Sequence, residues 1–315
     1  MWLLNLGAIE TFYAKGKLLL TGEYLVLDGA HALACPTLQG QKMTVVKGRG
    51  SDIKWKSFDP DGNQWYSAVI SLFDFKCEKT TDDVIGNRLT ELLTAAVRLN
   101  SDFLSKWNGL KIETTCEFPL DWGLGSSSTL VYCVAQWADV DPFELYSKTF
   151  GGSGYDIACA DAAGPIFYHL DENIPVVSKT NIPKEIQDKL FFIYTGKKQD
   201  TQTGIDHYRS RASVIKPRVI DDVSSITEEM AQTKDFKQAS MLLENHESIL
   251  SEVLDLPKIK TERFSDYWGA VKSLGAWGGD FLLATSDRSP EETTAYFNQK
   301  GHEVVKSWSE MISEE

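Results

Sequence analysis

The sequence predicts an α+β protein of two domains, on three observations. Short apolar runs punctuated by turns fill the first third of the chain, one strongly periodic helical stretch follows, and a change of texture near Asn181 opens a second mixture of helices and strands. At 315 residues the chain is about twice a modal domain, so two closely packed domains fit its length. The expected division is residues 1–185 and 186–315.

Taken in order, Leu18-Leu19-Leu20 and Tyr24-Leu25-Val26-Leu27 read as short strands. Asp59-Pro60-Asp61-Gly62 turns a hairpin between 53–58 and 64–73. Leu89, Leu92, Leu93, Ala96 and Leu99 recur at helical spacing over 87–100, the mark of an amphipathic helix lying on that sheet. A strand over 110–118 leads into a glycine loop, and 129–138 is apolar on nearly every side, hence a buried helix. Beyond the polar stretch 180–189, the run 190–194 reads as a strand and 222–234, 235–254 and 261–273 as helices. A Gly-rich turn, a strand over 281–285, a helix and a last strand near Val304 complete a small α+β sandwich.

Composition excludes several function classes. Apolar residues make up 42% and charged residues 24%, a globular profile. The net charge of −13, with no long Lys/Arg run, lacks the footprint of a nucleic-acid binder. An anionic small molecule would need a local cationic pocket, for which Lys15, Lys17, Lys197, Lys198, Arg209 and Arg211 are candidates. The five cysteines are odd in number and widely spaced, which speaks for reduced thiols over a disulfide framework or a zinc site. The longest uncharged run, 122–138, is shorter than the ~20 apolar residues of a membrane span. Residues 1–9 lack a basic leader, so no export signal or membrane partner is expected and a cytoplasmic location is.

Gly123-Leu124-Gly125-Ser126-Ser127-Ser128 stands between a strand and a helix, where unpaired N–H groups and the helix dipole can hold phosphate oxygens. No Gly-Lys-Ser/Thr closes it, and Ser128 occupies the third glycine position of the dinucleotide fingerprint, so neither common nucleotide motif fits. Taken alone, such a loop is equally a tight strand-to-helix connection.

With Pro119, this loop resembles the second motif of the GHMP kinases, Pro-x-x-x-Gly-Leu-Gly-Ser-Ser, which in that family wraps the ATP phosphates. Ala14-Lys15-Gly16-Lys17-Leu18-Leu19-Leu20-Thr21-Gly22-Glu23-Tyr24 resembles the first motif, whose lysine corresponds to Lys17, and Ser273-Leu274-Gly275-Ala276-Trp277-Gly278-Gly279-Asp280 is similar to the Gly-rich third. Gly152-Ser153-Gly154-Tyr155-Asp156-Ile157-Ala158 resembles a stretch of the phosphomevalonate kinases. Tyr194-Thr195-Gly196-Lys197 with Thr201-Gln202-Thr203 resembles their substrate-side loop. Against the family pattern, Lys15 replaces a proline, Ser128-Thr129 a pair of alanines, and Trp277 a glycine, the last serving either specificity or packing.

The resemblance implies a two-domain fold, an N-terminal mixed sheet with helices and a C-terminal ferredoxin-like α/β sandwich, with the active site between them. It implies ATP and Mg²⁺, and an anionic acceptor from the mevalonate pathway, phosphomevalonate or mevalonate. Lys17 and Asp156 would be catalytic; Gly123, Leu124, Gly125, Ser126, Ser127 and Ser128 would hold the ATP phosphates. Substrate contacts would come from Glu23, Tyr24, Ser153, Gly154, Thr201, Thr203, Gly275 and Ala276, and Mg²⁺ contacts from Ser127 and Glu144. Glu144 precedes Asp156 by twelve residues, where mevalonate kinases have a glutamate eleven before. A homoserine- or sugar-type acceptor, and a nucleotide-binding sensor without turnover, stay open as alternatives. A homodimer is compatible with the sequence, though no residue argues for it.

Overall fold

The computed structural model describes residues 9–106, 108–197, 201–211 and 216–314, the side chain of Thr201 excepted. The chain forms two compact units. The first comprises Met1–Gly16, Gln39–Leu120 and Gly125–Asp161; the second comprises Lys17–Leu38, Asp121–Leu124 and Ala162–Glu315.

The first unit holds most of β1 (Ile9–Thr21) and β2 (Ala32–Lys47), the hairpin β3 (Asp52–Phe58) and β4 (Gln64–Ser71), then β5 (Cys77–Thr80) and β6 (Leu110–Cys116). Its strands lie in the order β5-β4-β3-β6-β2. The pairing is mixed: β3 runs parallel to β6, with Trp55 opposite Ile112, while β2–β6, β3–β4 and β4–β5 are antiparallel, and β1 pairs with β2. Helix α1 (Asp83–Leu99) starts at Asp82, whose carboxylate accepts from the N–H groups of Val84 and Ile85. Its buried Leu89, Leu92, Leu93 and Ala96 share one face, and they join Ile53, Trp55, Ile70 and Ile112 of the sheet in one core. The other helices of this unit are α2 (Ser126–Ala138), α3 (Pro142–Thr149) and α4 (Tyr155–Cys159); α2 packs on both α3 and α4.

In the second unit, the start of β2 pairs with β7 (Ile166–Asp171), which pairs with β8 (Ile174–Lys179). After the short α5 (Lys184–Gln187) come β9 (Leu190–Tyr194), α6 (Thr201–Ser210), α7 (Pro217–Gln232), α8 (Phe236–Leu254) and α9 (Ile259–Arg263). The chain ends with β10 (Val271–Leu274), β11 (Phe281–Thr285), α10 (Pro290–Gln299), β12 (Val305–Ser307) and the single turn α11 (Trp308–Met311). The second sheet has the order β10-β11-β9-β12 and is antiparallel throughout. With helices between β9 and β10 and between β11 and β12, this is the β-α-β-β-α-β arrangement of a ferredoxin-like sandwich, as expected.

Two elements differ from their expectation. The stretch 261–273 is not one helix: α9 ends at Arg263, and residues 271–274 form a fully buried strand. Phe264, Tyr267, Val271 and Leu274 mimic helical spacing, yet all four are buried in one unit, the first two around a turn and the last two on an edge strand of the second sheet. Gly269 marks the change, because a Cβ there would lie 1.9 Å from the carbonyl oxygen of Thr285. Residues 24–27 form no strand either. Gly22 and Gly29 take left-handed φ values of +90° and +91°, bracketing a 3₁₀ turn over Leu25–Asp28.

Among the described residues no helix is long and apolar enough to cross a membrane. None of the five cysteines is joined in a disulfide; four are buried and Cys77 is half-buried.

Candidate active site

The loop 121–128 continues from one unit into the other at Leu124–Gly125. In the second unit its first half is held by side chains from three directions. Lys17 donates from its backbone N–H to the Leu124 carbonyl at 3.0 Å and from Nζ to the Gly123 carbonyl at 3.1 Å. Tyr194 of β9 donates through its hydroxyl to Asp121 Oδ2 at 2.7 Å. Trp122 packs edge-on against Phe281 of β11, ring centroids 5.4 Å apart. Gly123 has φ +65°, and a Cβ there would lie 1.8 Å from Asp280 Oδ2. Glycine is therefore demanded by backbone conformation and by the carboxylate standing over it.

In the first unit the second half of the loop opens α2. Gly125, the residue before the helix, has φ +92° and ψ +43°, and no side chain caps the helix start. Helices α1, α3, α8 and α10 are each capped by an Asp or Ser, while α4, α5, α7 and α9 likewise start without a side-chain cap, so it is the glycine loop before α2, fixed by Lys17, that sets this start apart. The Ser126 side chain is half-buried and Ser127 is exposed. Ser128 is buried and its hydroxyl donates to the Gly125 carbonyl at 2.9 Å. What this start can offer an anion is its backbone N–H groups, the helix dipole and the hydroxyls of Ser126 and Ser127.

Asp156 sits in the first turn of α4, behind Gly154 with φ +86°. Its Oδ2 accepts from the Tyr146 hydroxyl at 3.3 Å. The Tyr155 hydroxyl is the second phenol beside that carboxylate; burial, reinforced by Asp156, pushes it well above its ordinary value. The glycines at 151, 152 and 154 all have positive φ, and a Cβ on Gly152 would press on the Tyr146 hydroxyl at 3.3 Å.

Among the predicted substrate contacts, the second unit brings Tyr24 together with the Gly-rich loop. Tyr24 has φ +63° and ψ −52°, and the Leu25 N–H donates to the Glu23 carbonyl at 2.7 Å. This is a γ-turn of the strained sign, uncommon for a bulky residue. It buries the Tyr24 ring against Tyr208, centroids 5.5 Å apart, and aims the hydroxyl at the Trp277 N–H, from which it accepts at 2.7 Å. Burial raises that phenol to about 12. Gly204 of α6 approaches so closely that a Cβ would lie 2.8 Å from the Tyr24 hydroxyl. Glu23, 2% exposed, turns inward to Lys272. Thr203 is exposed on α6, Ser153 is half-buried, Gly275 has φ +71°, and the Ala276 carbonyl accepts from the Gly279 N–H at 2.8 Å. The contact predicted for the Thr201 side chain and the cation Lys198 lie outside the described residues. Of the other candidate cations, Arg211 is used within its own unit, bonding the Val253 carbonyl and Asp255.

No family model matches the sequence, and no curated protein sequence matches it. Solved structures do. Mevalonate kinase of Methanococcus jannaschii superposes with a TM-score of 0.71 at 16% identity, over 98% of this chain and 99% of that one. Phosphomevalonate kinase of Streptococcus pneumoniae, solved with phosphomevalonate and AMPPNP, gives 0.70 at 15% identity over 95% and 99%. A D-glycero-D-manno-heptose 1-phosphate kinase of Bacteroides thetaiotaomicron gives 0.66 at 15% over 97% and 96%. The chain has the GHMP kinase fold.

Within the GHMP kinase fold, the donors on hand can be asked whether they suit Mg²⁺. Ser127 offers an exposed hydroxyl, and Glu144, in the first turn of α3, a carboxylate 3.4 Å from Lys148 Nζ. Among the described residues no group of three or more His, Cys, Asp or Glu could hold a metal ion. A serine hydroxyl and a carboxylate are oxygen donors of the kind Mg²⁺ takes, and two such donors would leave most of its coordination to phosphate and water. The motif resemblances included Asp280 and Tyr194 but did not show their partners, and Lys272 stood in none of them. Their partners lie 249 residues away for Lys272 and Glu23, and 73 for Tyr194 and Asp121, so no local pattern announces them.

Proposed function

We propose that this GHMP-fold chain is an ATP-dependent small-molecule kinase that transfers the γ-phosphate to an anionic acid of the mevalonate pathway, phosphomevalonate or mevalonate. The observation that carries this reading is the Gly123–Ser128 loop, whose start is fixed by Lys17 and whose helix begins without a side-chain cap. Phosphoryl transfer needs positioning and neutralisation of charge more than covalent chemistry, and these are what such a loop supplies. The neighbours' mevalonate and phosphomevalonate kinase identities, and the Gly152–Ala158 stretch, support the acceptor class.

In the proposed mechanism the N–H groups and hydroxyls at the α2 start hold phosphate oxygens, and Lys17 stabilises charge on the transferred group. Ser127 and Glu144 would hold Mg²⁺, which when bound neutralises phosphate charge. Asp156, oriented by Tyr146, aligns the acceptor. With a hydroxyl acceptor it also takes the proton, a contribution of ~10²–10⁴ in rate. A phosphate monoester has already lost most of that proton near neutral pH, its second pKa being about 6, and Asp156 then only positions it. Tyr24 acts from beneath, setting the Gly-rich loop through the Trp277 N–H, while Glu23 holds the buried Lys272. Reduced thiols and a cytoplasmic location belong to the same proposal.

The test is coupled ADP release with Mg-ATP against mevalonate, phosphomevalonate, homoserine and a panel of sugars. Turnover on one mevalonate-pathway acid supports the assignment. Turnover only on homoserine or a sugar would move the acceptor class, and ATP binding without any ADP release would replace the enzyme with a sensor.

A further inference from the structure

Beneath the Gly-rich loop lies a cluster of charge that the proposed reaction does not use. Lys272 of β10 is fully buried and donates from Nζ to the Leu20 carbonyl at 2.9 Å and to Glu23 Oε1. On α8, His246 and Glu247 are equally buried. His246 Nε2 accepts from the Gly22 N–H at 2.8 Å, so this ring nitrogen carries no proton. Burial, reinforced by Lys272, holds the imidazole neutral, well below its ordinary value. Two acids thus face one cation in a water-poor site, where ionising both is costly.

Glu247 is joined to the loop by a directional chain. The Gly278 N–H donates to Ser273 Oγ at 3.3 Å; Ser273 in turn donates from Oγ to Glu247 Oε1 at 3.4 Å and from its N–H to Oε2 at 3.3 Å. We propose that Glu247 is a positioning residue for the Gly-rich loop 275–279, acting through Ser273, and that its ionised form orders the loop. Charge-assisted bonds are roughly twice as strong as neutral ones, so a carboxylate holds Ser273 harder than a carboxylic acid does. Burial pushes the Glu247 carboxyl up to about 7, Glu23 adding to the rise and Lys272 opposing it. The change of state therefore falls near neutrality.

The groups around Glu247 leave few other candidates for such a response. Lys272 faces it from β10, Glu23 from the turn after β1 and neutral His246 from its own helix, and Ile259 of α9 gives a backbone N–H. Lys258 and Lys260 near α9 are engaged by Ser248 and Glu244. The charged side chains of α5 (Lys184, Glu185) and of Asp188 just after it, of α6 (Asp206, His207, Arg209) and of α7 (Arg218, Asp221, Asp222, Glu228, Glu229) are exposed.

The experiment is hydrogen–deuterium exchange by mass spectrometry on the full chain without ligand, corrected for intrinsic rates, between about pH 5.5 and about pH 8.5. In the wild type, protection of peptides covering 275–279 should rise about five-fold across the series, the size of one weakened hydrogen bond. In Glu247→Gln, an isosteric change, that dependence should vanish. Ser273→Ala keeps the carboxyl but cuts the chain and should flatten the profile too, which decides the matter if the first variant folds poorly. An unchanged slope in Glu247→Gln and Ser273→Ala, or none in the wild type, overturns the proposal. The kinase reading enters only in the consequence that the limb of kcat/KM near neutral pH disappears in Glu247→Gln. Exchange is read without nucleotide or acceptor, so a failed activity assay leaves it standing.

Discussion

Lys17 is where sequence and structure meet most directly at the scale of single residues. Its amine bonds the Gly123 carbonyl while its backbone bonds that of Leu124, so this part of the strand and the loop are fixed as one piece. Replacing it with Met should lower kcat by ~10²–10³ with circular dichroism unchanged, the usual loss when one donor to developing charge is removed. Wild-type turnover in Lys17→Met would remove it from the chemistry. Tyr24 is different in kind. Tyr24→Phe keeps the ring stack on Tyr208 but strips the Trp277 N–H of its acceptor, a loss of ~1–3 kcal/mol that urea unfolding of the variant should register. An unchanged midpoint would mean that solvent replaces the hydroxyl. The motif residues Lys17, Gly123–Ser128 and Asp156 were legible because each stands in a local pattern of glycines and small residues. Glu247 was not, since an acid's partner three-dimensionally opposite leaves no trace in its neighbours' identities, and for the same reason the third motif included Asp280 without showing its place over Gly123.

Among the elements, α2 shares a start without a side-chain cap with α4, α5, α7 and α9, whereas α1 and α8 are capped by an acid. Asp82→Ala at α1 should cost about 1 kcal/mol in thermal or urea unfolding, the ordinary worth of a cap. Gly123→Ala should cost more, because φ +65° and the Asp280 carboxylate both oppose a side chain there. If instead Gly123→Ala proved neutral, Asp280 would not stand where the structure has it. Most elements could be read beforehand: α1, α2, α8 and the β3–β4 hairpin carry either strong periodicity or turn residues between apolar runs. The stretch 261–273 could not, because Phe264, Tyr267, Val271 and Leu274 satisfy a helix template while packing as a turn and a buried edge strand. Leu25–Asp28 failed for the opposite reason, an apolar run too short to tell strand from turn.

For the whole molecule, the buried acid makes a prediction about stability with pH. The folded Glu247 carboxyl lies at about 7, above the ~4.3 of an unfolded chain. Its contribution is therefore full below about pH 4 and is lost as pH rises through about 7. Wild-type stability should fall relative to Glu247→Gln across that window, by a few kcal/mol at most, in urea titrations at a series of pH values. Parallel curves would show that the carboxyl is solvated. The fold class itself was readable from texture and motifs, and the ferredoxin-like strand order of the second sheet follows from helices separating its strands. How the chain divides into discontinuous units was not readable, since β1 and β2 each begin in one unit and end in the other. The claim that all of this serves phosphoryl transfer is tested most directly by phosphorus NMR of Mg-ATP mixed with phosphomevalonate or mevalonate. The account predicts ADP and a newly phosphorylated acid with the wild type and neither with Lys17→Met; intact ATP beside unaltered acids under conditions where the wild type binds nucleotide would contradict it.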